Sequence, residues 1–395
     1  MTSKIKSLSE GCDFSQIGYL FIALTPLAFC HGWGDGWRDP KIFFLLTGLL
    51  LLFLHSLFSN DADAVAKAQT HRRETFATSV TFASFACLIV SQFIFLRLQL
   101  SLVLPIFFGF LIMALLTGPV RVPKLGRWGI PFGLIVAGVE GALVLSQFTG
   151  FDPIREKPVL DFIKWRSTGT MGNPNVVGAY LGLSCILFFT QQKLTKLKLG
   201  FFLVFILLPL LLTFSRSTFL ALALAALADR SSKSRFNSLR ALLALLVLGL
   251  VGFFAAYSTP AGHSFLTQTG LLNTASLIGR LNENQHAFNY LNSSNILFGI
   301  GWNHYRLQPG AASDFIHNEW LGALIEGGVI GFSLMLMLAY LLVRFFASRS
   351  RHARAIAIFI LVLSMVDFPL RSPAFLSVFI FLFFAHLTDA NSLID

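Results

Sequence analysis

The chain has 395 residues, of which 55% are hydrophobic and only 12% are charged, and phenylalanine alone occurs 43 times. This composition excludes a soluble globular domain and indicates a helical protein that crosses a membrane many times. The net charge of +11 is weak support for a nucleic-acid partner, because no soluble basic domain carries it. Most of that charge is expected in the loops on the cytoplasmic side.

Twelve hydrophobic segments predict an all-α integral membrane protein with about twelve transmembrane helices in one polytopic domain, residues 1–395. The segments lie near residues 16–31, 41–58, 75–95, 98–117, 129–148, 174–191, 199–213, 217–229, 240–257, 318–343, 353–367 and 371–388. The first is expected to be a retained signal anchor, since residues 1–15 lack a cleavable pattern. With both termini in the cytoplasm, 19 of the 30 lysines and arginines fall on that side, as the positive-inside rule requires.

Arg216 stands alone in the apolar run 200–228. A charge at membrane depth costs about 2.5–3.5 kcal/mol on insertion scales, so it persists where it meets an anion, a counter-charge or water. Both flanks of the run are rich in lysine and arginine, which marks both as cytoplasmic. The chain is therefore predicted to go out and come back, with Arg216 at a tip recessed inside the protein.

The returning helix would begin at Ser217 and Thr218, which are candidate caps. Backbone N–H groups at a helix start and a guanidinium would then meet, an arrangement that suits a phosphate group. The alternative is that Arg216 snorkels to the interface or is paired for structural reasons.

One connection, residues 258–317, is too long for a simple loop and is predicted to lie outside. Between Ser276 and Leu291 its apolar residues recur at helical spacing, so we expect an amphipathic helix on the outer membrane surface. A glycine turn at 298–301 follows. Arg280 can pair with Glu283 at i+3, but such a surface pair contributes little, so this arginine is expected to be available for an anion.

His317 opens the last long hydrophobic block. An imidazole, with its ordinary pKa near 6.5, suits a general base, whereas the simpler interpretation is an interfacial histidine beside Trp320. Glu326 lies nine residues further, and a carboxylate at that depth needs a partner. It could pair with Arg216, orient a base or be protonated.

Further polar residues are expected on the same outward face. The segment Asn173-Pro174-Asn175 starts a span, with asparagine at the N-cap and proline at N1. His304 and Arg306 follow the glycine turn, and Arg371 begins the last span. A local ion pair between Asp367 and Arg371 is the default for those two residues, and Glu140 is expected in the bundle interior. The predicted cluster of arginines and histidines suits a diphosphate-bearing substrate, and the sequence has no metal-ligand spacing.

Several short motifs occur together in a familiar order. They are Gly172-Asn173-Pro174-Asn175, Ser215-Arg216-Ser217, Gly279-Arg280, Phe298-Gly299-Ile300-Gly301 and His317-Asn318 through Glu326-x-Gly328. In this combination the chain resembles the O-antigen ligase and polymerase superfamily over roughly residues 130–385.

The resemblance implies a GT-C-like glycosyltransferase of the bacterial inner membrane, with a site open to the periplasm. It would move a glycan from undecaprenyl diphosphate to a hydroxyl of lipid A–core, with inversion and with neither metal nor cofactor. Arg216 would bind the diphosphate and serve catalysis, and His317 would activate the acceptor hydroxyl. The residues implied to bind the diphosphate with Arg216 are Arg280, Arg306, Asn173 and Asn175; those implied to support the site are Glu326, Arg371 and His304.

Two other interpretations stay open. A polymerase of O-antigen or exopolysaccharide, or a protein O-oligosaccharyltransferase, belongs to the same enzyme class, although polymerases tend to have two large outside loops and this chain has one. An anion or solute transporter could use the same arginines to line a pore. Transporters often contain inverted repeats with paired broken helices, and the sequence has one broken element, near Arg216, without a repeated partner.

Overall fold

The computed structural model of the chain describes residues 14–28, 39–58, 129–154, 167–190, 195–228, 275–301, 304–308, 316–349 and 351–367, with the single positions 375 and 377. Over these residues the protein is helical and contains no strand. The α-helices are α1 (Phe14–Leu24), α2 (Asp39–Phe58), α3 (Gly129–Phe148), α4 (Pro174–Thr190), α5 (Lys196–Phe202), α6 (Leu208–Leu212), α7 (Arg216–Ala228), α8 (Ala275–Phe288), α9 (Glu319–Arg349) and α10 (Arg351–Val366).

Eight of the twelve predicted segments coincide with helices, and the other four (75–95, 98–117, 240–257 and 371–388) lie outside the described residues apart from two positions. In the described part, two helices contain windows long and apolar enough to cross a membrane, Ile130–Phe148 and Glu319–Met337. The fold class of an all-α membrane protein therefore agrees with the structure, while the number of spans stays a prediction.

Small residues allow the first two helices to pack closely. A Cβ added at Gly18 of α1 would lie 2.8 Å from the carbonyl oxygen of Gly48 on α2. Without side chains at this crossing the two backbones approach directly, which is how helices commonly associate in membranes. The hairpin of α1 and α2 joins the main apolar core.

Two buried charged residues, Lys41 and Glu140, connect this hairpin to the centre of the bundle through Thr170. Lys41 of α2 is 2% exposed, and its Nζ donates to the carbonyl oxygens of Ala28 and Thr170. The carboxylate of Glu140 on α3 accepts hydrogen bonds from the backbone N–H (2.7 Å) and the hydroxyl (2.9 Å) of Thr170. The expectation that Glu140 lies in the interior is confirmed. The segment 167–171, shortly before α4, is thereby fixed inside the protein.

The predicted reversal at Arg216 is present. α4 has Phe188 stacked on Phe202 of α5, with ring centroids 4.3 Å apart. Toward its other end, a Cβ at Gly178 would lie 2.6 Å from the Cβ of Ser215, and one at Gly182 would lie 2.6 Å from Thr218. The chain therefore runs antiparallel to α4 up to the turn and parallel to it afterwards.

A π-helical turn, Leu203–Leu207, separates α5 from α6. Pro209 has no N–H and crowds the carbonyl four residues earlier, which belongs to Phe205. That carbonyl is displaced toward α3, where a Cβ at Gly141 would lie only 1.8 Å from its oxygen. The π-turn and the glycine together accommodate the proline, as is usual for helix irregularities.

The cap of the returning helix differs from the prediction. α7 begins at Arg216 itself, so Ser215 occupies the cap position, and its carbonyl accepts from the N–H of Phe219. Ser217 and Thr218 lie in the first turn, where their hydroxyls contact the Ser215 hydroxyl at 3.3 and 2.9 Å. The reason is the preceding residue, Phe214, whose φ of 51° ends α6 one residue earlier than expected.

Candidate functional site

Asp367 connects two of the residues that the sequence placed in the site. It directly follows α10, and one carboxylate oxygen lies 3.6 Å from Nη2 of Arg280 while the other lies 3.6 Å from Nδ1 of His317. The Asp367 side chain is 7% exposed, whereas the other two retain 24% and 23%. The carboxylate is therefore enclosed, and the two basic groups form the accessible side of the cluster.

His317 is held by the start of α9. The side-chain oxygen of Asn318 accepts hydrogen bonds from the backbone N–H groups of Trp320 and Leu321, both at 3.0 Å, which makes Asn318 the N-cap. The indole N–H of Trp320 donates to the hydroxyl of Ser364 at 3.0 Å. This contact aligns the start of α9 with the end of α10, so His317 reaches Asp367 because both helix ends are fixed.

The sequence offered Arg280 only a weak local pair with Glu283, and the structure places its main contacts elsewhere. Arg280 on α8 instead donates from Nη1 to the carbonyl oxygen of Val366 at 2.9 Å and pairs with Asp367. Carbonyls at a helix C-terminus lack partners within the helix, and an aspartate beside them adds unfavourable negative charge. The guanidinium neutralises both, which is why α8 is fastened to α10 rather than stabilised within its own turn.

The glycine turn at 298–301 passes through a break in α9. Gly328 has φ 66° and ψ −167°, so the helix is interrupted there. The N–H groups of Val329 and Ile330 donate to the carbonyls of residues 296 and 297, and the carbonyls of Ile325 and Glu326 accept from residues 300 and 301. The loop backbone thus replaces the helical hydrogen bonds that the break removes, as irregular backbone at membrane depth requires.

Two glycines make this crossing possible. A Cβ at Gly299 would lie 2.4 Å from the backbone of Glu326, and a Cβ at Gly328 would lie 2.3 Å from the carbonyl oxygen of Leu297. Both residues also have positive φ, 73° and 66°. Larger residues would therefore separate the loop from α9.

Tyr305 fastens the next part of the loop to α9. It is fully buried and packs with Ile316, Leu321 and Ile325 in a second, smaller core. Burial raises the pKa of its phenol to about 12, with Glu283 and Tyr290 adding to the effect. Its backbone N–H lies 3.4 Å from a carboxylate oxygen of Glu326. Glu326 therefore faces the loop backbone, while no contact with Arg216 exists.

Arg216 lies apart from the Asp367 cluster. The turn around it is enclosed, with Thr213, Ser215 and Thr218 buried, but the Arg216 side chain is exposed and has no ion pair or hydrogen bond with any residue that the structure describes. Thr218 and Phe359 of α10 both lie against Gly182. Asp367 follows Phe359 by eight residues, which corresponds to about 12 Å along the helix axis.

The other predicted site residues are distributed around these two points. Asn173 caps α4 as predicted, with its side chain accepting from the N–H of Asn175 at 2.8 Å. Asn173 precedes Gly178, the residue against Ser215, by five positions, or about 7.5 Å of helix. His304 is half-buried directly before the 3₁₀ turn Tyr305–Leu307. Arg306 lies in this turn with a side chain outside the described part, and Arg371 lies outside it entirely.

The described residues form a helical protein with two windows apolar enough to cross a membrane, in which an arginine and a histidine lie partly exposed beside a buried aspartate. Residues 201–336 match the family described as O-Antigen ligase. This match confirms the resemblance to the O-antigen ligase and polymerase superfamily. The family consists of membrane-embedded, glycosyltransferase-like enzymes, whose partners are lipid-linked glycans and glycan acceptors.

The matched region contains Arg216, Arg280, His317 and Glu326, together with the loop between them. Asp367 lies beyond its end. No curated protein matches the chain as a relative.

Proposed function

We propose that this protein is an O-antigen ligase of the bacterial inner membrane. It transfers a glycan from undecaprenyl diphosphate to a hydroxyl of lipid A–core on the periplasmic face, without a metal and with inversion. The observation that supports this most is the shared carboxylate of Asp367, which holds an arginine and a histidine side by side. One cation and one base next to each other are what an acceptor hydroxyl and a diphosphate leaving group require.

In the proposed reaction the acceptor oxygen attacks the anomeric carbon, and the bond from that carbon to the diphosphate oxygen breaks. The electron pair leaves with the diphosphate, and the acceptor proton passes to His317. Because Nδ1 faces Asp367, the opposite ring nitrogen, Nε2, is the atom that takes the proton. Asp367 fixes the imidazole orientation and stabilises the imidazolium that forms, the role that carboxylates have beside catalytic histidines.

The arginines stabilise the charge that develops on the leaving group. Arg280 has five N–H donors, and Asp367 and Val366 occupy part of them, so its remaining donors bind the diphosphate. Arg216, accessible but set in an enclosed turn, is proposed to bind the same group from deeper in the bundle. Arg306, Asn173 and Asn175 complete the donor site, with Glu326, Arg371 and His304 in support.

The test is transfer by the purified chain in lipid nanodiscs. Lipid-linked glycan is supplied with lipid A–core, with free lipid-linked glycan as the only acceptor, or with an acceptor protein. A product on lipid A–core that disappears in His317→Ala is expected. Elongation of the lipid-linked glycan would assign a polymerase, and a glycosylated protein would assign an oligosaccharyltransferase. Diphosphate-dependent flux of solute across the membrane, without glycan transfer, would refute the glycosyltransferase activity and indicate a transporter.

A further inference from the structure

Residues 296–298 of the long loop are apolar and exposed. Ile296, Leu297 and Phe298 retain 46%, 55% and 53% of their accessible surface. Three consecutive exposed residues of this kind are unusual on a surface that faces water. The sequence placed them in a loop outside the membrane, so their surroundings need an explanation.

The depth of this segment is fixed by its backbone. The carbonyls of Ile296 and Leu297 accept hydrogen bonds from Val329 and Ile330 at 2.9 and 3.2 Å. Val329 follows the break at Gly328, and the uninterrupted part of α9 before it, from Glu319 to Gly327, is about 12 Å long. A hydrocarbon core is about 30 Å thick. Residues 296 and 297 therefore lie beside the break in α9, inside the window Glu319–Met337, which has the length and apolarity to span a membrane.

The segment also meets the two demands that a bilayer makes. Its irregular backbone is paired with the broken part of α9, through residues 296, 297, 300 and 301, so polar groups are not left to the hydrocarbon. Its exposed side chains continue onto exposed apolar residues of α9, because the two residues that it pairs with, Val329 and Ile330, are themselves 43% and 37% exposed. The exposed apolar surface of the segment is therefore continuous with that of α9.

We propose that residues 296–301 form a re-entrant segment, and that Ile296, Leu297 and Phe298 contact the acyl chains of the periplasmic leaflet. The long loop thus enters the membrane, and it does not lie wholly on the outer side. This inference depends on α9 being a membrane span and not on the glycosyltransferase activity.

The test uses nitroxide labels in nanodiscs of phosphatidylethanolamine and phosphatidylglycerol, on a chain whose four cysteines are replaced by alanine. Leu297→Cys is compared with Ser293→Cys, an exposed polar position four residues earlier, and with Leu336→Cys, an exposed apolar position on α9. The nitroxide at Leu297→Cys is expected to be relaxed by oxygen and not by a water-soluble nickel chelate, and the label at Leu336→Cys is expected to behave in the same way. Ser293→Cys is expected to behave in the opposite way.

Nickel accessibility at position 297 equal to that at 293 would overturn the proposal, and so would a label reached by neither reagent, since that result would mean protein contact. A second measurement avoids the cysteine replacements. In intact spheroplasts an impermeant maleimide should label Ser293→Cys at least tenfold faster than Leu297→Cys, above the background of the unsubstituted chain. Equal rates would contradict the proposal.

Discussion

The carboxylate of Asp367 lies 3.6 Å from the imidazole of His317, although fifty residues separate them in the sequence. Its second oxygen is at the same distance from the Arg280 guanidinium. If the carboxylate orients the base, Asp367→Asn should lower kcat for glycan transfer by about a hundredfold, since general base catalysis contributes about 10²–10⁴-fold. The KM for the lipid-linked donor should change much less.

The control for this variant is Asp367→Glu, which keeps the charge and should recover part of the rate. Ser364→Ala removes the nearby hydrogen bond from Trp320. It therefore shows how much of the loss comes from a misplaced helix end and how much from the missing carboxylate. Equal losses of kcat in Asp367→Asn and Asp367→Glu, with unchanged thermal stability in both, would contradict the orienting role.

Arg280 should matter for both structure and activity. Arg280→Lys keeps a positive charge but loses the fork that reaches Val366 and Asp367 together. We expect at least a tenfold loss in kcat/KM and faster proteolysis of the loop that carries α8. Arg354→Ala, which removes an exposed arginine on α10, is the matched control and should leave both quantities unchanged. If the loop of Arg280→Lys were as resistant to proteolysis as that of the wild type, the contacts with Val366 and Asp367 would not be what fastens α8.

Arg216→Ala should abolish transfer while the protein still inserts and folds, because the exposed side chain has no ion pair or hydrogen bond with the described residues. Thermal unfolding in detergent and donor binding are the two measurements. We expect an unchanged Tm with donor affinity at least tenfold weaker. Lys196→Ala, an exposed cation at the start of α5, serves as the control. Normal transfer by Arg216→Ala would remove this residue from the site.

Gly328→Ala and Gly299→Ala should each destabilise the protein by roughly 2 kcal/mol or more, since strained backbone costs about 1–3 kcal/mol and the new Cβ also meets backbone atoms. Gly279→Ala is a matched control on α8, where a Cβ meets nothing within 4 Å and alanine is favoured by about 0.5–1 kcal/mol. Thermal unfolding distinguishes them. A Gly328→Ala chain as stable as Gly279→Ala would show that the loop does not need to enter the helix break.

Lys41→Met should destabilise the bundle by about 3–5 kcal/mol, because removal of one partner leaves a buried charge uncompensated. The double variant Lys41→Met, Glu140→Leu should regain a large part of that loss. Lys196→Met makes the same substitution at an exposed position and should change the thermal unfolding midpoint very little. If the double variant is less stable than Lys41→Met, the stability arises from the separate hydrogen bonds to Thr170 and not from the electrostatic interaction between the two residues.

Local signals were sufficient for several features of the fold. The reversal near Arg216 follows from the basic residues on both sides of the apolar run. Both flanks are then cytoplasmic, so the chain must go out and come back, although the run is too short for two full spans. The cap at Asn173 and the helix in the long loop follow from residue types at fixed spacing. The break in α9 also had a local signal, the pair Gly327-Gly328 in an apolar run, which the sequence analysis used only as part of a motif.

The contacts that assemble the site had no such signal. The sequence offered Arg280 a weak local pair with Glu283, and it offered Asp367 a local pair with Arg371, which lies outside the described residues. Only i+3 and i+4 relationships can be read from one sequence, whereas the contacts of Asp367 with His317 and Arg280 join positions 50 and 87 apart and form only once α8, α9 and α10 have packed. Tyr305 was missed for the same reason, since a tyrosine in a polar loop gives no indication of burial. Lys41 begins the predicted segment 41–58, and it is buried because it donates to the carbonyl of Thr170, next to Glu140.

The shared carboxylate has a consequence for how the enzyme exchanges its substrates. The same side chain that aligns the imidazole also retains α8, so the loop cannot lift away without releasing the histidine from its orientation. An opened form would be unable to accept a proton in the correct direction, and wasteful hydrolysis of the activated glycan would be suppressed whenever the entrance is wide. On the proposed function, a productive substrate would therefore have to reach the site while the contact between Asp367 and Arg280 is intact.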